Sequence, residues 1–285
     1  MLTLVLWDVQ HGSATYIKTP AGQHIVHGLG IGSYGSGSAD FSPLMHLKRS
    51  YGVTQLDAVI ITHPHRDHLD DILNFEALSP RILWRPGHLT EDEIWAGNRN
   101  ADRVIIEKFL EVHHRYVEPI PVQTDPLIAG NNGGVDIRNF VPTSCGRSNL
   151  NKHSMVTVIT YEGLKIILPG DNEAPSWTEL LERDNFRSAI HDADILLASH
   201  HGRDAGFCSE LFNFFQPLLT IVSDGRFGDT SATDQYDRVT RGWEVRHRQG
   251  GSEQRKVLMT RNDGVITVKL GRNPSGNRFL EVTVD

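Results

Sequence analysis

Short apolar runs recur along the chain, and their spacing predicts a strand-rich fold. TLVLWDV, ATYIKTP and QHIVH read as three strands, parted by turns at QHGS and PAGQ. After the glycine- and serine-rich GLGIGSYGSGSAD, helical spacing is expected from about Phe41 to Tyr51. LDAVIITH is a buried strand by length and β-branched content. RDHLDDILNFEAL behind it has helical spacing through Leu69, Ile72, Leu73 and Phe75. RILWRP is the next strand, and ADRVIIEKFLEVHHRY an amphipathic helix with His113 and His114 facing solvent.

The second half repeats the alternation. VDIRNFVP, SMVTVITYEG and LKIILPGD read as strands, the last two joined by a hairpin at Glu162-Gly163. Helices over SWTELLERD and SELFNFFQP flank the strand ADILLASHH, and LLTIVSDG follows. KVLMTRNDGVITVKL carries a strong hairpin signal at Asn262-Asp263-Gly264, and RFLEVTVD closes the chain. Strand pairs followed by strand–helix units predict two sheets with helices outside, an α/β sandwich. No stretch has the character of a linker and no repeat is visible, so residues 1–285 read as one domain.

The polar residues that interrupt this pattern fall at strand ends. VIITHPHRDH closes on His63, His65, Asp67 and His68; KIILPGD on Asp171; DILLASHH on His200 and His201. Imidazole nitrogen and carboxylate oxygen are the donors that hold zinc-like ions. Alternate residues of an extended segment face one way, so His63 and His65 can share one ion. Asp67 and His68, one step into the turn, can reach a second ion beside it, and Asp171 has two oxygens with which to bridge. A histidine pair at a turn is ordinarily solvated surface. Four donors at this spacing, joined by two further strand ends, point to a metal site.

Composition narrows the classes. A net charge of -7 and 39% hydrophobic residues fit a globular chain without a bulk duplex-binding surface or an anionic-membrane patch. Cys145 and Cys208 are the only cysteines, far apart, which fits a reducing compartment. MLTLVLWDVQHG reads as a first strand and not a signal peptide, and no apolar run approaches the roughly 18–20 residues of a membrane span. A cytoplasmic chain is expected. GLGIGSYGSGS could form a backbone nest for phosphate, but it lacks the G-x-x-x-x-G-K-S/T pattern and reads as a surface loop. The arginines of RGWEVRHRQGGSEQRK could steer an anion, although such a run is more often a solvated strand and loop. Ser154 and Ser199 lack the partners of a nucleophilic serine.

H-x-H-x-D-H behind an apolar strand, then a GD strand end, then HHG, resembles the metallo-β-lactamase fold superfamily. Within it the likeness is to the soluble hydrolase domain of the DNA-uptake family ComEC/Rec2. DVQHGS at Asp8 to Ser13 matches part of DVGQGD. Asn151 to Ser154 match N-x-x-S, SHHGR matches PHHGS, and TRNDGVIT matches T-x-x-x-G-x-I-T. The resemblance runs from about Leu4 to Leu270. It implies an αββα sandwich of two mixed sheets with a two-metal site at the strand ends. His63 and His65 would bind one ion, Asp67 and His68 the other, Asp171 would bridge, and His201 would complete the second. His200 would be an alternative ligand or a hydrogen bonder facing substrate. Asn151 stands at the subgroup's usual place in the third motif, and His153 could be a ligand or could face substrate or solvent.

The chain departs from that pattern in three places. Gly28-Leu29-Gly30 replaces the usual D-x-G strand end, with His27 expected to point to the other face. Leu69-Asp70-Asp71 replaces Leu/Ile-Gly-Gly and is expected to add negative charge near the site. FGDTSA replaces the histidine-bearing YGHPHP. Restoring the carboxylate by Gly28→Asp is expected to tighten metal binding, provided Gly28 needs no positive φ.

Metal-dependent hydrolysis is the expected function. Two divalent ions, zinc or manganese, would make a water nucleophilic near neutral pH and polarise the attacked oxygen. Asp67 or Asp171 would pass a proton to the leaving group. A nucleotide or single-stranded nucleic acid is the expected substrate. Hydrolysis of a lactone, ester or amide at the same site is the alternative, which an apolar pocket would favour. A degenerate, non-catalytic binding member is the third reading, kept open by Gly28. The sequence leaves the oligomeric state open.

Overall fold

Alternation along the strands builds four layers. The computed structural model describes residues 1–31, 41–225 and 230–285. The larger sheet has nine strands. Its members are β1 (Leu2–Leu6), β2 (Thr15–Lys18), β3 (His24–His27), β4 (Ala58–Ile60) and β5 (Ile82–Trp84), with β11 (Trp243–His247), β12 (Ser252–Arg255), β14 (Ile266–Arg272) and β15 (Arg278–Val284). They run in the order β12-β11-β15-β14-β1-β2-β3-β4-β5. The smaller sheet has six strands: β6 (Asp136–Phe140), β7 (Val156–Tyr161), β8 (Leu164–Leu168), β9 (Ile195–Leu197), β10 (Leu219–Val222) and β13 (Val257–Met259). Its order is β13-β10-β9-β8-β7-β6. Both sheets mix parallel and antiparallel pairs.

Because side chains point alternately to either face of a strand, one strand feeds two cores. Leu4, Ile25, Ala58 and Ile60 meet Ile159, Ile166, Leu197 and Ile221 between the sheets. Their neighbours Val5, Val26 and Val59 pack outward against Leu44, Leu47, Ile106 and Phe109 of the helices Pro43–Ser50 and Arg103–Arg115. On the far side Val158, Ile167 and Leu196 pack under Trp177, Leu180 and Phe186 of the helices Ala174–Leu181 and Asp184–Ile190. Each fully buried aliphatic side chain contributes roughly 1.5–3 kcal/mol, so the strands are held from both faces. The expected αββα sandwich of two mixed sheets with helices outside is thus the observed architecture. Among the described residues no helix is long and apolar enough to cross a membrane.

Several local expectations give way to tertiary context. Asn262-Asp263-Gly264 is not a hairpin: β13 lies in the smaller sheet beside β10, and β14 lies in the larger sheet beside β1. A helical turn, Thr260–Asp263, carries the chain between sheets, fastened by the Asp263 carboxylate accepting from Met259 N at 2.7 Å. The segments behind His65 and Cys208 form 3-10 helices, Arg66–His68, Asp70–Ala77 and Ser209–Asn213. The helices Glu91–Ala96, Asp184–Ile190 and Thr233–Val239 were not legible in the pattern. The Glu162-Gly163 hairpin is present, with both residues at positive φ. His114 is exposed, but His113 is half-buried and accepts from Arg85 Nε at 3.0 Å. Residues 32–40 of the glycine-rich stretch and 227–229 of FGDTSA lie outside the described residues.

Gly28 is held by a requirement that an aspartate cannot meet. Its φ is +76°, and a Cβ there would lie 2.3 Å from the carbonyl oxygen of Ser13. The expectation that Gly28→Asp tightens metal binding is therefore corrected: the proviso on positive φ applies. Gly28→Ala should destabilise the fold by about 3 kcal/mol or more, through steric overlap added to backbone strain. Gly22→Ala, at φ +90° but in open space, should lose only about 1–2 kcal/mol. Urea unfolding of both variants checks this; equal losses would refute the close-approach account.

Candidate metal centre

The centre is assembled by backbone contacts that need glycine. The carbonyl of Asp67 accepts from Ser13 N at 3.3 Å, and the carbonyl of His68 accepts from Leu29 N at 3.0 Å. A Cβ on Gly12 or Gly30 would each come within 2.7 Å of Asp67 O. The loops after β1 and β3 are thereby pressed against the turn that carries Asp67 and His68. Ser154 Oγ accepts from Asp171 N at 3.0 Å and Gly170 takes φ +62°, which together turn Asp171 inward at the end of β8. His200 and His201 both adopt left-handed backbone, φ 51° and 54°. Such conformations cost about 1 kcal/mol or more each and cluster at functional sites. Here they leave both adjacent imidazoles near Asp171, with Nε2 of His200 and His201 4.0 and 3.5 Å from Oδ2.

Asp67, His68, Asp171 and His201 offer donor atoms that all lie within 4.8 Å of one another. His68 Nε2 is 3.0 Å from Asp171 Oδ1 and 3.3 Å from His201 Nε2. His201 Nε2 is 3.2 Å from Asp67 Oδ2 and 3.5 Å from Asp171 Oδ2. Donors bound at ~2.0–2.1 Å in a tetrahedron stand ~3.3 Å apart, so this set fits one divalent ion. His63 Nε2 lies 3.1 Å from His65 Nδ1 and 3.9 Å from the same Asp171 Oδ2. His201 Nδ1 donates to Ser223 O at 2.8 Å, which leaves Nε2 aimed at the carboxylates.

The buried histidines and carboxylates of the centre shift one another's pKa. Burial by itself would raise the pKa of Asp67 and Asp171, but His68 and His201 outweigh it and hold both well below the usual carboxylate range. Burial would likewise lower His201; Asp171 and then Asp67 outweigh it and raise its pKa well above the usual value. His63 is pushed well below the ordinary range by burial and by His68.

The other candidates are placed as follows. His200 Nε2 accepts from Arg203 Nη1 at 3.1 Å and faces Asn151 Nδ2 at 3.4 Å, 4.0 Å from Asp171 Oδ2. His153 is fully buried, its Nδ1 3.0 Å from His88 Nε2 and 3.3 Å from Pro142 O, and its Nε2 makes no hydrogen bond. His27 does not point to the other sheet face as expected. It is buried on the side of His68, neither ring nitrogen has a hydrogen bond, and burial followed by His68 pushes its pKa down to about 3. Asp70 and Asp71 do not charge the site either. Asp70 pairs with Arg66 at 2.8 Å, and Asp71 accepts from Ser42 Oγ and Leu44 N, capping the helix Pro43–Ser50.

Sequence reasoning passed over His11, Arg99 and Arg203, all of which line the cleft over the centre. His11 Nε2 is 3.4 Å from Asp67 Oδ2, and burial followed by His201 lowers its pKa to about 4. Its signal was its place inside the DVQHGS motif; that of Arg203 was its place directly after HHG.

No family model matches the chain, and no curated protein matches it. Solved structures with a similar course include a diphosphatase from the PhnP family, with a TM-score of 0.48 at 9% identity, over 95% of this chain and 98% of that one. Tm1679, a metal-dependent hydrolase of the β-lactamase superfamily, has a TM-score of 0.44 at 12% identity, over 93% and 98%. Zinc-bound PqqB from Methylobacterium extorquens has 0.43 at 13% identity, over 79% and 88%. At such distances these likenesses carry no activity to this chain.

In the ion-free protein, His201 supplies the compensating charge. Its raised pKa contributes stability that is complete below the unfolded value of about 6.5 and is lost as pH rises through the folded value. The depressed carboxylates contribute above about pH 4 and lose that contribution only in acid. Chelated protein should therefore lose melting temperature as pH rises above about 6.5, while zinc-loaded protein should not. Parallel melting curves with chelator and with zinc check this. Equal slopes would refute the charge account.

Proposed function

We propose that the chain is a dinuclear metal-dependent hydrolase of phosphodiesters, acting on a nucleotide or a single-stranded nucleic acid. One observation carries the choice of substrate class: the cleft of about 270 Å³ over the centre has no apolar side chain in its wall. Its lining includes His11, His65, Asn98, Asn151 and three arginines. Arg66 is neutralised by Asp70 and Asp102. Arg99 and Arg203 pair with no carboxylate among the described residues, and Arg203 Nε is buried without a partner. Such a wall suits an anion and offers nothing to the acyl chain of a lactone or ester.

In this reading His63 and His65 would hold one ion and Asp67, His68 and His201 the other, with Asp171 facing both sets. Zinc or manganese suits the nitrogen and oxygen donors. Bound there, divalent ions supply Lewis acidity and lower the pKa of water. Arg203 and Arg99 orient the phosphoryl oxygens, and the Asn151 amide adds a donor. His200 holds Arg203 in place through Nε2. Asp67, at the cleft edge, would take the proton given up by the attacking water and hand it to the leaving oxygen.

The metal-loaded protein should cleave bis(p-nitrophenyl) phosphate, and a chelator should abolish turnover. Arg203→Ala should raise KM about 10- to 100-fold, the ~1.5–3 kcal/mol of a hydrogen bond to a charged group. Single-stranded DNA, if bound, should dissociate steeply with salt as phosphate contacts release counterions. A metal-loaded protein that opens lactones and ignores every phosphodiester would overturn the substrate assignment.

A further inference from the structure

Between His63 and His68 lies a single hydroxyl. Thr62 Oγ1 is 3.1 Å from His63 Nδ1 and 3.2 Å from His68 Nδ1, and Thr62 is fully buried. A hydroxyl has one proton and two lone pairs, so it cannot donate to both rings. Two imidazoles that present Nε2 lone pairs to metal ions must both carry their proton on Nδ1, and one oxygen can then accept both.

We propose that Thr62 is the positioning residue that fixes His63 and His68 together in the Nδ1–H tautomer and so couples the two halves of the centre. The proposal rests on the reading of these histidines as metal ligands. Three further observations favour it. The carboxylate expected at the end of β3 is absent, because Gly28 cannot bear a side chain. His27, the buried neighbour of His68, makes no ring hydrogen bond and supplies no acceptor. Thr62 itself is locked in place. Its carbonyl accepts from Met155 N at 2.8 Å across the two sheets, and Gly170 packs so closely that a Cβ there would lie 2.8 Å from Thr62 Cβ. The hydroxyl is therefore aimed by both sheets at once.

Thr62→Val keeps the shape and removes the oxygen; Thr62→Ser keeps the oxygen. Zinc affinity is measured by competition with a chromogenic chelator, and the melting temperature of the chelated proteins checks folding. Thr62→Val should bind zinc about 10- to 100-fold more weakly at both positions, the usual loss when a ligand's supporting acceptor is removed. Thr62→Ser should keep the wild-type affinity. In zinc-loaded wild type, long-range proton–nitrogen correlation should show both rings protonated on Nδ1, a readout that needs no variant. Wild-type affinity in a folded Thr62→Val, a loss in Thr62→Ser as large as in Thr62→Val, or an Nε2 proton on either ring overturns the proposal. Wild-type protein that takes up no zinc at all overturns the metal reading itself, and this inference with it.

Discussion

Two carboxylates, Asp67 and Asp171, stand at the meeting point of the two sheets, Asp171 almost wholly buried, and charge in that position must be compensated. An unpaired buried carboxylate is strongly disfavoured, and removing one partner of a buried charge set typically costs about 3–5 kcal/mol. The surrounding structure follows from this constraint. His201 answers the charge, its ring held by Ser223. His68 and, at greater distance, His63 also face Asp171, and the two share the Thr62 hydroxyl. Without an ion the raised pKa of His201 answers part of this charge, and the clustered donors could hold a metal ion that answers the rest.

Backbone proximity, more than side-chain bonding, sets where these groups stand. Gly12, Gly28 and Gly30 let three chain segments touch at the carbonyls of Asp67, His68 and Ser13, where a Cβ would collide. Gly170 does the same for Thr62 and Ser154 on the opposite sheet. The strain stored at His200 and His201 is tolerated because the neighbouring turn is fastened, with His200 N donating to Gly170 O at 3.1 Å. Pairing Asp70 with Arg66 and using Asp71 as a helix cap keeps two further acids from adding to the anionic load.

The donors most legible in the sequence were those close together in it. H-x-H-x-D-H is a local pattern, and its donors can be recognised without knowing what lies elsewhere in the fold. The four-layer fold was legible for the same reason: Val5, Val26 and Val59 alternate with Leu4, Ile25 and Ile60. What escaped depends on partners far along the chain. Asp71 looks like a site residue until Ser42 and Leu44 are seen to donate to it. His27 looked misdirected because its matching position was taken as Gly28, whose φ only the folded loop reveals. The turn after Met259 carries a strong hairpin signal, yet its two strands belong to different sheets. Arg203 and His11 were visible inside quoted motifs, but only the folded cleft shows that they face it.

The central claim is that the buried carboxylates are held by divalent cations bound to this histidine set. Anomalous scattering from crystals grown with zinc tests it most directly. The account predicts peaks at the zinc edge on either side of Asp171, one among Asp67, His68 and His201 and one beside His63 and His65. Crystals of fully zinc-equilibrated protein with no peak at Asp171, or with zinc only at surface histidines, would contradict it.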